Sequence, residues 1–259
     1  MKLKDKVAIV TGGGRGLGRG IALAYAQEGA HLALVARGGD EIEQVAQEVR
    51  DFGQRALPIQ ADLTKEQDVQ AMVTKTLDEF GTIDILVNNV GGYRLYTDSK
   101  HHQVFVKDLT VEEWDRVINV NLRTAFLCCK AVIETIMAKK SGVIINLTSG
   151  VADKGRSGGA AYSAAKSAVE RLTESLAEEL KEFNIAVNSL NPGWNLTRPN
   201  EDYDPEVWKR MRMPEDIGPS ALFLALQTPE TMTGQVLSAP EYDKAQGIVR
   251  PSAFERIRR

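Results

Sequence analysis

Val7-Ala8-Ile9-Val10-Thr11-Gly12-Gly13-Gly14-Arg15-Gly16-Leu17-Gly18 opens the chain with a short apolar run that breaks into glycines and resumes as a helix-period segment, Gly16–Glu28. Glycines at this junction let the backbone turn tightly and approach a pyrophosphate. The helix behind them offers unpaired N–H groups and the positive end of its dipole. The spacing Gly12-x-x-x-Gly16-x-Gly18 differs from the commoner Gly-x-Gly-x-x-Gly.

Working outward, the same alternation continues along the chain. Short apolar runs fall at 32–35, 56–59, 83–87, 143–147, 185–190 and 235–237, and helix-period segments at 40–52, 65–80, 111–139, 160–183 and 215–226. Runs that are apolar throughout suit strands buried on both faces of a parallel sheet. Strand–helix alternation predicts an α/β, doubly wound parallel sheet of about seven strands with helices on both faces. With no linker, repeat or low-complexity stretch, residues 1–259 read as one domain, with a short lid at about 194–213 and a tail at about 248–259.

Ligands of such sheets bind beyond the carboxyl ends of the strands. Polar residues able to do chemistry sit at those ends: Arg37, Asp62, Asn88, Ser149 and Pro192-Gly193 each follow one of the runs. Tyr162 and Lys166, four apart, share one face of the helix starting near Ala160. A free phenol titrates near 10; an adjacent ammonium and an oxidised nicotinamide both favour phenolate, and lowering it to about 7 takes roughly 4 kcal/mol.

Composition narrows the function. A formal charge of −3, from 32 Lys and Arg against 35 Asp and Glu, argues against nucleic acid as a partner. Arg250, Arg256, Arg258 and Arg259 read as a solvated tail. Cys128 and Cys129 are adjacent, form no ordinary disulfide with each other, and read as buried thiols of a reducing compartment. No segment reaches the ~20 apolar residues of a membrane span, and no signal peptide is evident, so a cytoplasmic location is expected. No His/Cys/Asp cluster has metal-ligand spacing, and His101-His102 reads as part of a polar loop.

Thr11-Gly12-x-x-x-Gly16-x-Gly18, Asn88-Asn89-x-Gly91, Ser149, Tyr162-x-x-x-Lys166 and Asn191-Pro192-Gly193 occur in one order. In this the chain resembles the short-chain dehydrogenase/reductase family over about residues 5–237, and in particular members of 3-oxoacyl-[acyl-carrier-protein] reductase type. The resemblance implies a Rossmann-like fold and a catalytic set of Asn121, Ser149, Tyr162 and Lys166. Tyr162 would be the general acid/base, Ser149 would polarise the substrate oxygen, and Lys166 would hold the nicotinamide ribose. Asn121, rather than Asn119, would position a water linking Lys166 to solvent. The implied cofactor contacts are Gly12, Gly14, Arg15, Gly16, Leu17 and Gly18 in the turn and Arg37, Asp62 and Leu63 toward the adenosine. Asn89, Gly91, Tyr162, Lys166, Pro192, Gly193 and Thr197 complete them toward the nicotinamide.

Ala36 stands where NAD-using relatives carry an acidic residue, and Arg37 and Arg15 flank the position. Two guanidiniums and no carboxylate favour a 2′-phosphate, hence NADP(H), with NAD(H) as the alternative. The expected reaction is hydride transfer between NADP(H) and a small ketone or secondary alcohol. The alternatives are an NAD-dependent diol or sugar-alcohol dehydrogenase, and a catalytically silent dinucleotide-binding sensor or scaffold. The long helical segments 111–139 and 160–183 resemble those that form the family's dimer interface, which implies a homodimer or homotetramer.

Departures from the family pattern are Val90 in Asn88-Asn89-Val90-Gly91, the long aromatic and basic stretch 92–107, the short lid carrying Trp194 and Trp208, and Ser238-Ala239-Pro240-Glu241-Tyr242 in place of a terminal glycine pair. The 92–107 stretch reads either as a wall of the active-site mouth, where Arg94 would meet an anionic substrate, or as a surface loop or an oligomer contact.

Overall fold

The computed structural model describes residues 1–92, 104–197 and 205–257. Its strands are β1 (Val7–Thr11), β2 (His31–Ala36), β3 (Ala56–Gln60), β4 (Ile85–Asn88), β5 (Gly142–Leu147), β6 (Ile185–Asn191) and β7 (Val236–Ser238). They form one parallel sheet in the order β3-β2-β1-β4-β5-β6-β7. The order reverses between β1 and β4, so a crevice opens past their carboxyl ends. The structure is a Rossmann-like seven-stranded sheet, as the alternation predicts.

The central strands are largely apolar because both faces are covered, whereas the edge strands β3 and β7 are more exposed. Ala8 and Val10 of β1, with Leu32 and Leu34 of β2, pack on one side. There they meet α1 (Gly16–Gln27), α2 (Gly39–Asp51) and α8 (Gly218–Ala225). Ile9, Ala33 and Val35 point the other way. On that side lie α3 (Glu66–Phe80), α5 (Thr124–Lys139) and α6 (Ala160–Leu180). Each fully buried Leu, Ile or Val contributes about 1.5–3 kcal/mol relative to exposure. Cys128 and Cys129 are buried free thiols in this second layer, and burial raises both thiol pKa values.

The segment expected as one helix over 111–139 is α4 (Val111–Ile118), a π-helical turn (Asn119–Arg123) and then α5. A capping box starts α4, with Thr110 accepting from the Glu113 amide and Glu113 accepting from the Thr110 amide. Three further short helices lie at α7 (Pro205–Trp208), α9 (Ala239–Ala245) and α10 (Ala253–Ile257). The expected solvated tail is corrected at Arg250 and Arg256: both bond buried carboxylates, and Ala253 between them is fully buried. Arg258, Arg259, His101, His102, Arg94 and Arg198 lie outside the described residues. Among the described residues no helix is long and apolar enough to cross a membrane.

Candidate active site

A cavity of about 1020 Å³ runs along the carboxyl edge of the sheet. Strand order sets its layout, with Arg37 and Asp62 after β2 and β3 at one end and Ser149 and Pro192 after β5 and β6 at the other. The glycine turn lies between. Gly12 and Gly16 have φ of +64° and +54°, where a side chain would be strained. Gly18 is not part of the wall: a Cβ there would stand 2.1 Å from the Gly12 carbonyl oxygen, so it sets how closely helix and turn pack. The Asn89 amide fixes the turn from behind, donating to the carbonyls of Thr11 and Gly12 at 2.9 and 3.2 Å.

These residues fit a dinucleotide. The N-cap of α1, Arg15, supplies no side-chain cap, and no carboxylate lies in the first turn, so the positive end of the helix is left for an anion. All the other expected cofactor contacts line the cavity: Gly14, Arg15 and Leu17 in the turn, Arg37, Asp62 and Leu63 at one end, and Gly91, Pro192, Gly193 and Thr197 at the other. Burial raises the Asp62 carboxyl, but the Thr64 hydroxyl and amide, with Lys65 and Arg37 nearby, outweigh it and hold the carboxyl below its ordinary range. Among the described residues no cluster of His, Cys, Asp or Glu could hold a metal ion.

One expectation about this end is corrected. A carboxylate is present after all: Glu41, in the first turn of α2, lines the cavity and meets Arg15 at 3.2 Å. The strand-end position, Ala36, gave no sign of it. Gly38-Gly39 turns the chain so that the helix start faces the cleft, and those two glycines were the available signal.

At the other end α6 carries Tyr162 and Lys166 to the same cavity as Ser149. The Ser149 side chain hydrogen-bonds the phenol, which lowers its pKa, but burial dominates and pushes Tyr162 up to about 12. The expected lowering to about 7 is therefore not a property of these side chains alone. Lys166 is buried and donates to the Leu147 carbonyl at 2.7 Å. Burial lowers its pKa to about 8, partly offset by the charge of Glu170. Its Nζ lies 5.8 Å from the Tyr162 ring centroid.

Asn121 stands behind the wall rather than in it. The π-helical turn points its amide inward, where Oδ1 accepts from the Gly92 amide at 2.9 Å and Nδ2 donates to the Val117 carbonyl at 3.0 Å. Asn119, by contrast, is exposed. Of the two lid tryptophans, Trp194 lines the cavity while Trp208 packs beside Leu196, Met211 and Ala253. Sequence reasoning missed Val151, Arg156, Val207 and Met211, which line the same cavity as Ser149, because lid and loop residues carry no periodic signal.

The sequence matches the family described as short chain dehydrogenase over residues 6–207. The chain belongs to the short-chain dehydrogenase family. A 3-oxoacyl-[acyl-carrier-protein] reductase of Chlamydia trachomatis is 35% identical over 246 residues, 91% of this chain and 96% of that one. Its counterpart in Staphylococcus epidermidis is 35% identical over 243 residues, 90% and 96% of the two chains. Among solved structures, a short-chain type dehydrogenase/reductase from Mycobacterium marinum superposes with a TM-score of 0.80 at 31% identity, covering 91% of this chain and 94% of its own. An NAD+-bound xylitol dehydrogenase does so with 0.80 at 29%, covering 92% and 98%. This short-chain dehydrogenase is thus an oxidoreductase of a family that binds nicotinamide dinucleotides.

Proposed function

We propose that this short-chain dehydrogenase reduces a small ketone to a secondary alcohol with NADPH, and that Tyr162 is its general acid/base. One observation carries the reading: Ser149, Tyr162 and Lys166 face the same cavity as the glycine turn, with Ser149 bonded to the phenol. When bound, the nicotinamide cofactor supplies or accepts the hydride. The side chains handle the oxygen and its proton. Ser149 donates to the substrate oxygen and orients it, and Tyr162 delivers a proton to that oxygen.

The resting protonation state supports reduction. A phenol pushed up to about 12 is neutral at pH 7, the form that donates a proton in the reductive step. Lys166, with a pKa of about 8, is mostly charged at pH 7 and stabilises the phenolate left behind. Asn121 and Gly91 close around its Nζ, leaving the ammonium a fixed seat.

The substrate class is a carbonyl compound with an apolar flank, because Val151, Trp194, Val207 and Met211 line the same cavity as Ser149. A 3-oxoacyl compound fits, and the relatives named for reducing 3-oxoacyl chains on acyl-carrier protein support it. Arg15 and Arg37 favour NADP(H). The specific observation behind an NAD(H) reading is Glu41, whose carboxylate shares that end of the cavity and would repel a 2′-phosphate unless Arg15 neutralises it. Exposed Val111, Trp114 and Phe126 on α4 and α5 support a homo-oligomer.

The experiment is a steady-state screen of 3-oxoacyl thioesters and cyclic ketones with NADPH and with NADH, and of polyols with NADP+ and with NAD+. Turnover of a 3-oxo compound with NADPH preferred is expected. Turnover confined to polyols with NAD+ would replace this reading with sugar-alcohol oxidation.

A further inference from the structure

The C-terminal segment ends in a charge network beneath the cleft. Asp216 and Asp243 are nearly inaccessible, at 2% and 5% exposure. Three arginines meet them. Arg250 lies 2.5 Å from Asp243 and 3.3 Å from Asp216. Arg256 lies 2.6 Å from Asp216 and 3.0 Å from Glu215. Arg212 pairs with Asp243 and donates to the Asp216 carbonyl at 3.1 Å. Three carboxylates face three guanidiniums, and two of the three cations come from the tail. Removing those two would leave Arg212 alone with both buried aspartates, an uncompensated arrangement that low dielectric penalises heavily.

Arg212 is also where the network meets the cavity wall. Its amide donates to the Trp194 carbonyl at 2.8 Å, and its carbonyl accepts from Leu196 at 3.0 Å. Its guanidinium reaches the Pro192 carbonyl at 3.5 Å. The segment so held, 192–197, presents Pro192, Gly193, Trp194 and Thr197 to the cavity. Thr197 stands against the glycine turn, 3.5 Å from where a Cβ of Gly16 would be. A second tie runs through the backbone: the Ala253 amide donates to the Met211 carbonyl at 2.8 Å, and Ala253 packs with Leu196 and Met211.

We propose that residues 250–257 are a strap that holds the wall 192–197 in place, with Arg250 and Arg256 as positioning residues acting through Arg212. This rests on the reading of the cavity as a nicotinamide dinucleotide site only for its binding consequence. The strap itself is tested without it.

The test compares wild type with the double variant Arg250→Ala/Arg256→Ala in the full-length chain. Two ligands are titrated: NADPH, and 2′-phospho-ADP-ribose, which lacks the nicotinamide. Loss of the strap should weaken NADPH about tenfold and leave the fragment within about twofold. Limited trypsin digestion should show faster cleavage at the exposed Lys209 and Arg210, with the rates at the other exposed sites unchanged. Arg250→Lys/Arg256→Lys, which keeps both charges, should recover most of both effects. Equal weakening of both ligands, or unchanged tryptic protection and NADPH affinity, would overturn the proposal. If wild type binds neither ligand, the cofactor reading fails, and the tryptic comparison alone decides the strap. Should the double variant not fold, Arg256→Ala, which leaves Arg250 on both aspartates, decides by the same readings.

Discussion

Gly91 and Asn121 are in contact so close that no side chain fits between them: a Cβ on Gly91 would lie 2.6 Å from Asn121 Oδ1 and 3.3 Å from Lys166 Nζ. The glycine after β4, the π-helical turn and the middle of α6 therefore converge on one ammonium.

Gly91→Ala should accordingly behave as an active-site variant. Overpacking of this kind costs about 1–3 kcal/mol, which lowers the melting temperature by a few degrees. The larger effect is expected in turnover, a loss of about tenfold or more as Lys166 is displaced. Parallel thermal melts and kcat measurements check this; unchanged kcat would show that Lys166 need not sit where it does.

The cofactor end gives a paired prediction. Arg37→Ala should weaken NADPH by about tenfold while NADH changes little. Glu41→Gln should move the ratio the other way by removing a like charge. Isothermal titration of both cofactors on both variants reads the outcome. Equal changes for NADPH and NADH would show that neither side chain senses the phosphate.

Stability should carry the signature of Lys166. Burial lowers its folded pKa to about 8 from 10.5, so between these values the unfolded chain binds more protons than the folded one. Stability then rises with pH across that window, by up to a few kcal/mol. Tyr162 has the opposite sign: raised to about 12 from 10.0, it retains its proton when folded, so its contribution is fully present below pH 10 and is lost as the pH rises from 10 toward 12. Because an unfolded phenol ionises first, the folded state binds more protons above pH 10, and stability there declines. Denaturant titrations of wild type and Lys166→Met from pH 7.5 to 10 test the lysine limb. The variant should lack the rise, and identical slopes would refute the assignment.

Much of this was legible in the sequence because strand ends and pockets coincide in a doubly wound sheet. Apolar runs located all seven strands to within a residue or two, and the ends of the first six each pointed to a candidate such as Ser149 or Asp62. The misreadings share a cause. Glu41 reaches the cleft through a helix start rather than a strand end, and the π-helical turn at Asn119–Arg123 hides inside a helical period. Arg250 and Arg256 looked solvated because Asp216 is distant along the chain and Asp243 lies within α9, a helix the sequence pattern did not reveal. The pKa of Tyr162 depends on burial, which local sequence does not encode.

The most direct test of the account is Tyr162→Phe, which removes one hydroxyl from the cavity and little else. NADPH affinity is measured by fluorescence titration, and hydride transfer by single-turnover absorbance with a 3-oxoacyl thioester. The account predicts cofactor affinity within about twofold of wild type and hydride transfer reduced by about 10²–10⁴-fold. Undiminished transfer would mean that another group moves the proton, and the assignment of Tyr162 would be wrong.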